Sequence, residues 1–157
     1  MAFTMVNSLA ESQLSSVVTE VCIYYYVEDG DNKTLVGLVL KDGGRICFSV
    51  FPKREGSRDA EIRWCYIPES ESRNGVDRRK VLKPNMTVAD VRRLLTDLGR
   101  GNYTCPPNER ANEWWGSVIY KDMVLWGYIP PVPVEESHVA WGGEGKFAYH
   151  TGVANCR

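Results

Sequence analysis

The stretch that most constrains the fold is Asn112-Glu113-Trp114-Trp115-Gly116-Ser117-Val118-Ile119-Tyr120-Lys121-Asp122-Met123-Val124-Leu125-Trp126-Gly127. Asn112 suits an N-cap, Glu113 puts an acid on the first turn, and Gly127 stands where a helix C-cap takes glycine. Between these signals Trp114, Trp115, Val118, Ile119, Met123, Val124, Leu125 and Trp126 cover almost the whole circumference. A helix that is apolar nearly all round has no face to leave against water, so it is buried. It is too short, and too polar in its middle, to cross a bilayer. The pattern predicts a central helix over 113–126 with the preceding strands packed around it.

Those strands are written in alternation. Val21, Ile23, Tyr25 and Val27 alternate with Cys22, Tyr24 and Tyr26, which predicts a strand from Val17 to Val27 that is apolar on both faces. Glu28-Asp29-Gly30-Asp31-Asn32 is a turn cluster. The runs Leu35 to Leu40 and Arg45 to Phe51 flank Lys41-Asp42-Gly43-Gly44, a hairpin in which the glycines supply positive φ. Ala60 to Ile67 gives a further strand with Ile62, Trp64 and Tyr66 on one face. Glu69 to Lys83 is charged and serine-containing and reads as a solvated connection, with Arg78-Arg79-Lys80 as a wet face balanced by nearby acids. Thr87 and Asp90 form a capping box ahead of the stripe Val88, Val91, Leu94, Leu95 and Leu98, and Gly99 stops the helix. That stripe covers one side only, so this helix lies outside the sheet. Asn102 to Cys105 is a short extended piece, followed by the rigid turn Pro106-Pro107-Asn108.

The expected fold is therefore α+β: a small antiparallel sheet packed around one buried central helix, with a second amphipathic helix outside. Residues 1–16 are expected as a flexible arm, 17–134 as the single domain, and 135–157 as an aromatic tail that packs on the domain or on a partner. Ile129 to Val134, with three prolines, is expected to be extended in polyproline fashion.

A chain of 157 residues can bury a proper core without staples, and a net charge of −1 gives no electrostatic case for nucleic acid or an anionic membrane. Five cysteines, an odd number with no CxxC pair, read as reduced thiols and not as a zinc site or a disulfide framework. The first residues lack the basic start and apolar core of a signal peptide, so a cytoplasmic location is expected and the sequons at Asn32, Asn85 and Asn102 are read as chance. No metal or cofactor is implied, and the assembly is open to a homodimer.

The order strand, hairpin, strand, outer helix, short strand, buried helix resembles circularly permuted papain-like folds, such as the lecithin retinol acyltransferase class. It also resembles an uncharacterised fungal domain family with that layout. The matching residues are Leu35 to Phe51, Thr87 to Arg100, Tyr103, and Asn112-Glu113-Trp114-Trp115. The resemblance implies a nucleophilic cysteine at the start of the buried helix and a histidine on an early strand. Here those positions carry Asn112 and, near the strand position, Lys33 or Thr34, and no histidine precedes His138. A thiolate–imidazole mechanism needs both groups, so the catalytic pair of that family is missing.

What remains at that end is an acid, an amide and aromatics. Glu113 and His138 are the candidates for acid–base chemistry such as isomerisation or cyclisation, and Tyr103 and Asn112 for holding a substrate by hydrogen bonds. Trp114 and Trp141 are the candidate apolar walls. Each has a plainer explanation: an acid on the first helical turn stabilises its helix, and tryptophans on a buried helix are core. The leading expectation is a cofactor-free protein acting on a small, largely apolar organic molecule, with secondary metabolism as the setting the resemblance favours. The alternatives are a non-catalytic interaction domain using the proline-rich segment and aromatic tail, and a thiol hydrolase using Cys105. Gly142-Gly143-Glu144-Gly145 lacks the lysine and the context of a phosphate loop.

Overall fold

The computed structural model describes residues 4–28, 30–69, 75–101, 103–104 and 111–131. It is an α+β fold, as expected. The elements are α1 (Glu11–Leu14), β1 (Val18–Glu28), β2 (Asp31–Leu40), β3 (Arg45–Pro52), β4 (Asp59–Ile67), β5 (Val76–Lys80), α2 (Val88–Asp97), β6 (Tyr103–Thr104) and α3 (Ala111–Leu125). The strands form one antiparallel sheet in the order β5-β1-β2-β3-β4-β6.

The turns follow from their residues. Glu28 pairs with Asp31, so β1 and β2 run to the ends of a tight loop in which Gly30 takes φ +82. In the β2–β3 turn only Gly43 has positive φ, +97, and the Asp42 carboxylate accepts from the Gly44 N–H at 2.9 Å. Gly44 is glycine for another reason: a Cβ there would come within 2.7 Å of the Tyr66 hydroxyl.

The two faces of the sheet are built differently. Val21 and Ile23 of β1, Val36, Leu38 and Leu40 of β2, Ile46, Phe48 and Val50 of β3, and Trp64 of β4 join the buried side chains of α2 and α3 in the main core. Phe48 stacks on Trp64 with ring centroids 4.7 Å apart and meets Trp115 edge-on at 6.0 Å. Helix α3 packs on β2 and β3, and from Trp114 to Tyr120 every residue is buried, with Val118, Ile119 and Met123 at 0% exposure. Its polar groups are satisfied inside. Asp122 accepts two bonds from Arg100, at 2.7 and 2.9 Å, and the Tyr120 hydroxyl donates to the Asp77 carbonyl at 2.9 Å. The helix closes at Gly127, φ +75, with the Tyr128 N–H returning to the Met123 carbonyl. Helix α2 has the expected Thr87–Asp90 capping box and buries Val88, Val91, Leu94 and Leu95.

Three expectations change. Residues 4–16, expected as part of a loose arm, carry the one-turn helix α1 with Leu14 buried, and Val6 bridges to Trp64 through two backbone hydrogen bonds of 2.8 Å. Within the stretch expected as a solvated connection, Val76–Lys80 is an edge strand on β1. Its arginines tolerate this because they are paired, Arg78 with Glu20 and Arg79 with Asp77, the acids that balance the run; Arg79 is enclosed, whereas Arg78 is 37% exposed and Lys80 faces solvent. Trp126 lies past the end of α3 and is 62% exposed, and Leu125 is exposed too, so the central helix is enclosed all round only from Trp114 to Tyr120. The polyproline segment beyond residue 131 and the aromatic tail lie outside the described residues.

Candidate functional site

The described backbone positions among the candidate residues fall on two elements, β6 and the N-terminal turns of α3. Tyr103 pairs with Ala60 as β6, the outermost strand beside β4. Asn112 and Glu113 belong to the first turn of α3. Trp115 meets Phe48 edge-on, and Phe48 stacks on Trp64, so the N-terminal half of α3 packs against the middle of β3. Trp114 is buried at the margin of the core, 9% exposed, where Trp115 is fully enclosed and donates its indole N–H to the Arg100 carbonyl at 3.3 Å. Of Lys33 and Thr34, the two residues near the strand position where the resemblance implies a histidine, Thr34 is buried on the helix-facing side of β2 and Lys33 is half-buried. His138, Trp141, Cys105 and the side chains of Tyr103, Asn112 and Glu113 lie outside the described residues.

A second constellation sits on the opposite face of the sheet. Register places Cys22 of β1 beside Gly37 of β2, Gly37 beside Cys47 of β3, and Cys47 beside Cys65 of β4. The three cysteines are free and buried. Gly37 is the gap in this row, and the Tyr24 ring fills it: a Cβ on Gly37 would fall 2.3 Å from that ring. Arg45 reaches over the same ring, its guanidinium carbon 5.8 Å from the centroid. Both the Tyr24 hydroxyl and the Arg45 Nε are buried without a hydrogen-bond partner. Leaving such groups unmade costs about 1–3 kcal/mol each.

The electrostatics of this face are those of desolvated thiols. Burial pushes the Cys22 thiol up to about 11, and burial together with the neighbouring Cys22 holds the Tyr24 hydroxyl well above the usual phenol range. The Cys47 thiol donates to the Cys65 sulfur, which raises Cys47 and lowers Cys65. Among the described residues no group of three or more His, Cys, Asp or Glu side chains could hold a metal ion; in the thiol row Cys22 is separated from Cys47 by the width of β2. The sequence pattern put Cys22 and Tyr24 on one face of β1, but only strand pairing aligns them with Cys47 and Cys65.

A third cluster is structural. Asp77, at φ +50, is one of two non-glycine residues with positive φ among those described. Its carboxylate takes both arms of Arg79, at 3.1 and 3.2 Å, while Arg79 also lies over the Tyr120 ring and donates to the Pro130 carbonyl at 2.9 Å. This clasp ties β5, α3 and the start of the proline segment together.

Among the described residues, no helix is long and apolar enough to cross a membrane. No family model matches the chain, and no curated protein or solved structure is detectably similar to it.

Proposed function

We propose that the protein acts, without a cofactor, on a small, largely apolar organic molecule bound in a cleft beside the start of α3. The observation that supports this reading is the aromatic core at the N-terminal half of α3, where Trp114 stands at the core margin and Trp115 meets Phe48 edge-on, with Tyr103 on the edge strand beside β4. Sites for such ligands are concave and mostly apolar, with a few placed polar groups. In this reading Trp114 and Trp141 supply apolar wall, Tyr103 and Asn112 orient the ligand by hydrogen bonds, and Glu113 with His138 moves a proton in an isomerisation or cyclisation. The missing cysteine–histidine pair fits acid–base work better than hydrolysis through a thiol.

The test is a screen of small apolar metabolites by ligand-observed NMR, followed by turnover assays on those that bind. Glu113→Gln keeps shape and hydrogen bonding but cannot pass a proton, so it should retain affinity and lose about 10²–10⁴-fold in rate. Cys105→Ala should leave the rate unchanged. The reverse outcome, a dead Cys105→Ala and an active Glu113→Gln, replaces this reading with a thiol hydrolase.

A second reading, a protein-interaction domain, is favoured by one observation. Leu125, Trp126 and Leu82 are 72%, 62% and 57% exposed, and the Leu82 N–H bonds the Tyr128 carbonyl just before the proline segment. If no metabolite binds and Trp126→Asp abolishes capture of a protein partner, this reading stands instead.

A further inference from the structure

We infer that Cys47 and Cys65 are a redox-active dithiol, an oxidative modification site that closes to a cross-strand disulfide when the chain segment around Val6 lets a peroxide reach it. The inference is independent of the ligand site proposed above.

The pairing is set by the sheet. Cys47 and Cys65 face each other directly across β3 and β4. The Trp64 N–H and C=O both turn outward to Val6, so those of Cys65 turn inward to β3, and the two cysteines form a hydrogen-bonded antiparallel pair. Such pairs hold their Cα atoms about 5.5 Å apart, inside the roughly 4.4–6.8 Å span that a disulfide bridges. Both side chains lie on the same face of the sheet, where they belong to one buried cluster with Leu35 and Ile67. Cys22 cannot compete, because the whole of β2 lies between it and Cys47. Two strand spacings, about 9–10 Å, exceed what a disulfide spans.

Access is the controlling step, since Cys47 is 0% and Cys65 2% exposed. Among the described residues, the outer edge of β4 near Cys65 is met only by the Val6 bridge, β6 pairing farther along at Asp59 and Ala60. Met5 packs on the small cluster of Leu35, Cys47, Cys65 and Ile67. The cover is therefore a segment that, among the described residues, is held to β4 by two backbone bonds around Val6, itself 40% exposed, the kind of element that opens locally at low cost.

The chemistry balances with a hydroperoxide as oxidant. The Cys65 thiolate, whose pKa the Cys47 hydrogen bond lowers, attacks one peroxide oxygen. The O–O bond breaks, leaving a sulfenic acid on Cys65 and a hydroxide that is protonated to water. The Cys47 sulfur then attacks the Cys65 sulfur. The S–O bond breaks, the departing hydroxide takes the Cys47 proton as water, and the S–S bond forms. Two thiols are oxidised and one peroxide is reduced.

The experiment treats the full chain with hydrogen peroxide, blocks remaining thiols with iodoacetamide under denaturing conditions, and maps linked peptides by mass spectrometry without reductant. The expected result is a Cys47–Cys65 linkage, unchanged in Cys22→Ser, and reversed by dithiothreitol. In Cys47→Ser, or Cys47→Ala if serine is not accepted, the linkage disappears and Cys65 accumulates as a sulfenic acid trapped by dimedone. Val6→Pro removes the N–H that bonds Trp64 and should speed closure several-fold, with Met5→Ala as a second route to the same opening should proline disturb folding. A linkage of Cys65 to any other cysteine, or no Cys47–Cys65 linkage in a chain that keeps its native circular dichroism, overturns the dithiol. Closure no faster in either opening variant overturns the gating by the Val6 segment.

Discussion

Ile119→Ala is the sharpest test of whether α3 organises the fold. Ile119 is fully enclosed in the main core, between the sheet and the buried groups of its own helix. Truncation to alanine removes aliphatic groups worth about 0.8 kcal/mol each in transfer alone, close to 2.4 kcal/mol together. The cavity left behind raises this, since helix and sheet cannot both close on it, and measured costs for such truncations run to about 5 kcal/mol. The expected loss is therefore about 2–5 kcal/mol. Leu125→Ala is the internal control: the same helix and a similar truncation, but at a residue 72% exposed. Substitutions at such sites usually stay within about 0.5 kcal/mol.

Urea denaturation followed by tryptophan fluorescence reads both. The midpoint of Ile119→Ala should fall well below the parent's with an unchanged slope, because the surface exposed on unfolding is nearly the same. Leu125→Ala should unfold with the parent. An unchanged midpoint for Ile119→Ala, or equal losses for the two variants, refutes the central placement of this helix.

Other outcomes follow from the paired charges, the cap and the thiols. Arg100→Met strands the Asp122 carboxylate, which is 7% exposed, and should cost about 3–5 kcal/mol, whereas Arg100→Met with Asp122→Leu should recover most of it; thermal denaturation of the cycle checks this. Thr87→Ala should cost about 0.5–2 kcal/mol by removing the cap of α2, measured by the same denaturation. The Thr87 N–H bond to Asp90, helped by Lys83, holds the Asp90 carboxyl below the usual aspartate range. A folded pKa lower than the unfolded one gives stability that is full above the unfolded value, about 3.9, and is lost as pH falls through the folded value. Parent and Asp90→Asn stability curves should therefore converge in acid and separate as pH rises above about 4. Cys22 is enclosed and its thiol pushed up to about 11, so maleimide labelling of the native protein at pH 7 should leave it unmodified; rapid labelling without unfolding contradicts that burial.

The parts of the fold carried by local periodicity were legible, and the parts carried by pairing were not. The α2 stripe and its capping box, the Asp42-Gly43 turn and the enclosure of Ile119 each follow from residues within a few positions of one another. Strand β5 was missed because Val76-Asp77-Arg78-Arg79-Lys80 has no apolar alternation. Its place in the sheet depends on Glu20, Tyr120 and Pro130, which lie far away in sequence. The ordering of residues 4–16 was missed for the same reason: nothing near Val6 announces that Trp64 will accept it. The candidate site was half legible. Helix periodicity identified Trp114 and Trp115 as buried, but no local pattern announces that Tyr103 will pair with Ala60 as an edge strand.

The thiol row shows how the same sheet makes one inert face and one reactive one. Toward the helices, each buried charge that the fold accepts is fixed by a two-armed partner, as in Arg100 with Asp122 and Arg79 with Asp77. Such geometry offsets desolvation because both donors of the guanidinium are used. On the far face that rule lapses, since the Tyr24 hydroxyl and the Arg45 Nε are enclosed without partners. Exceptions of this kind gather where a sequence serves something besides stability. Here they gather around Cys22 and Cys47, with Gly37 admitting the Tyr24 ring between the thiols. A larger residue at position 37 would expel that ring and repack the row. Gly37→Ala should therefore disturb the cysteine face while leaving the helix-facing core, on the opposite side of β2, in place.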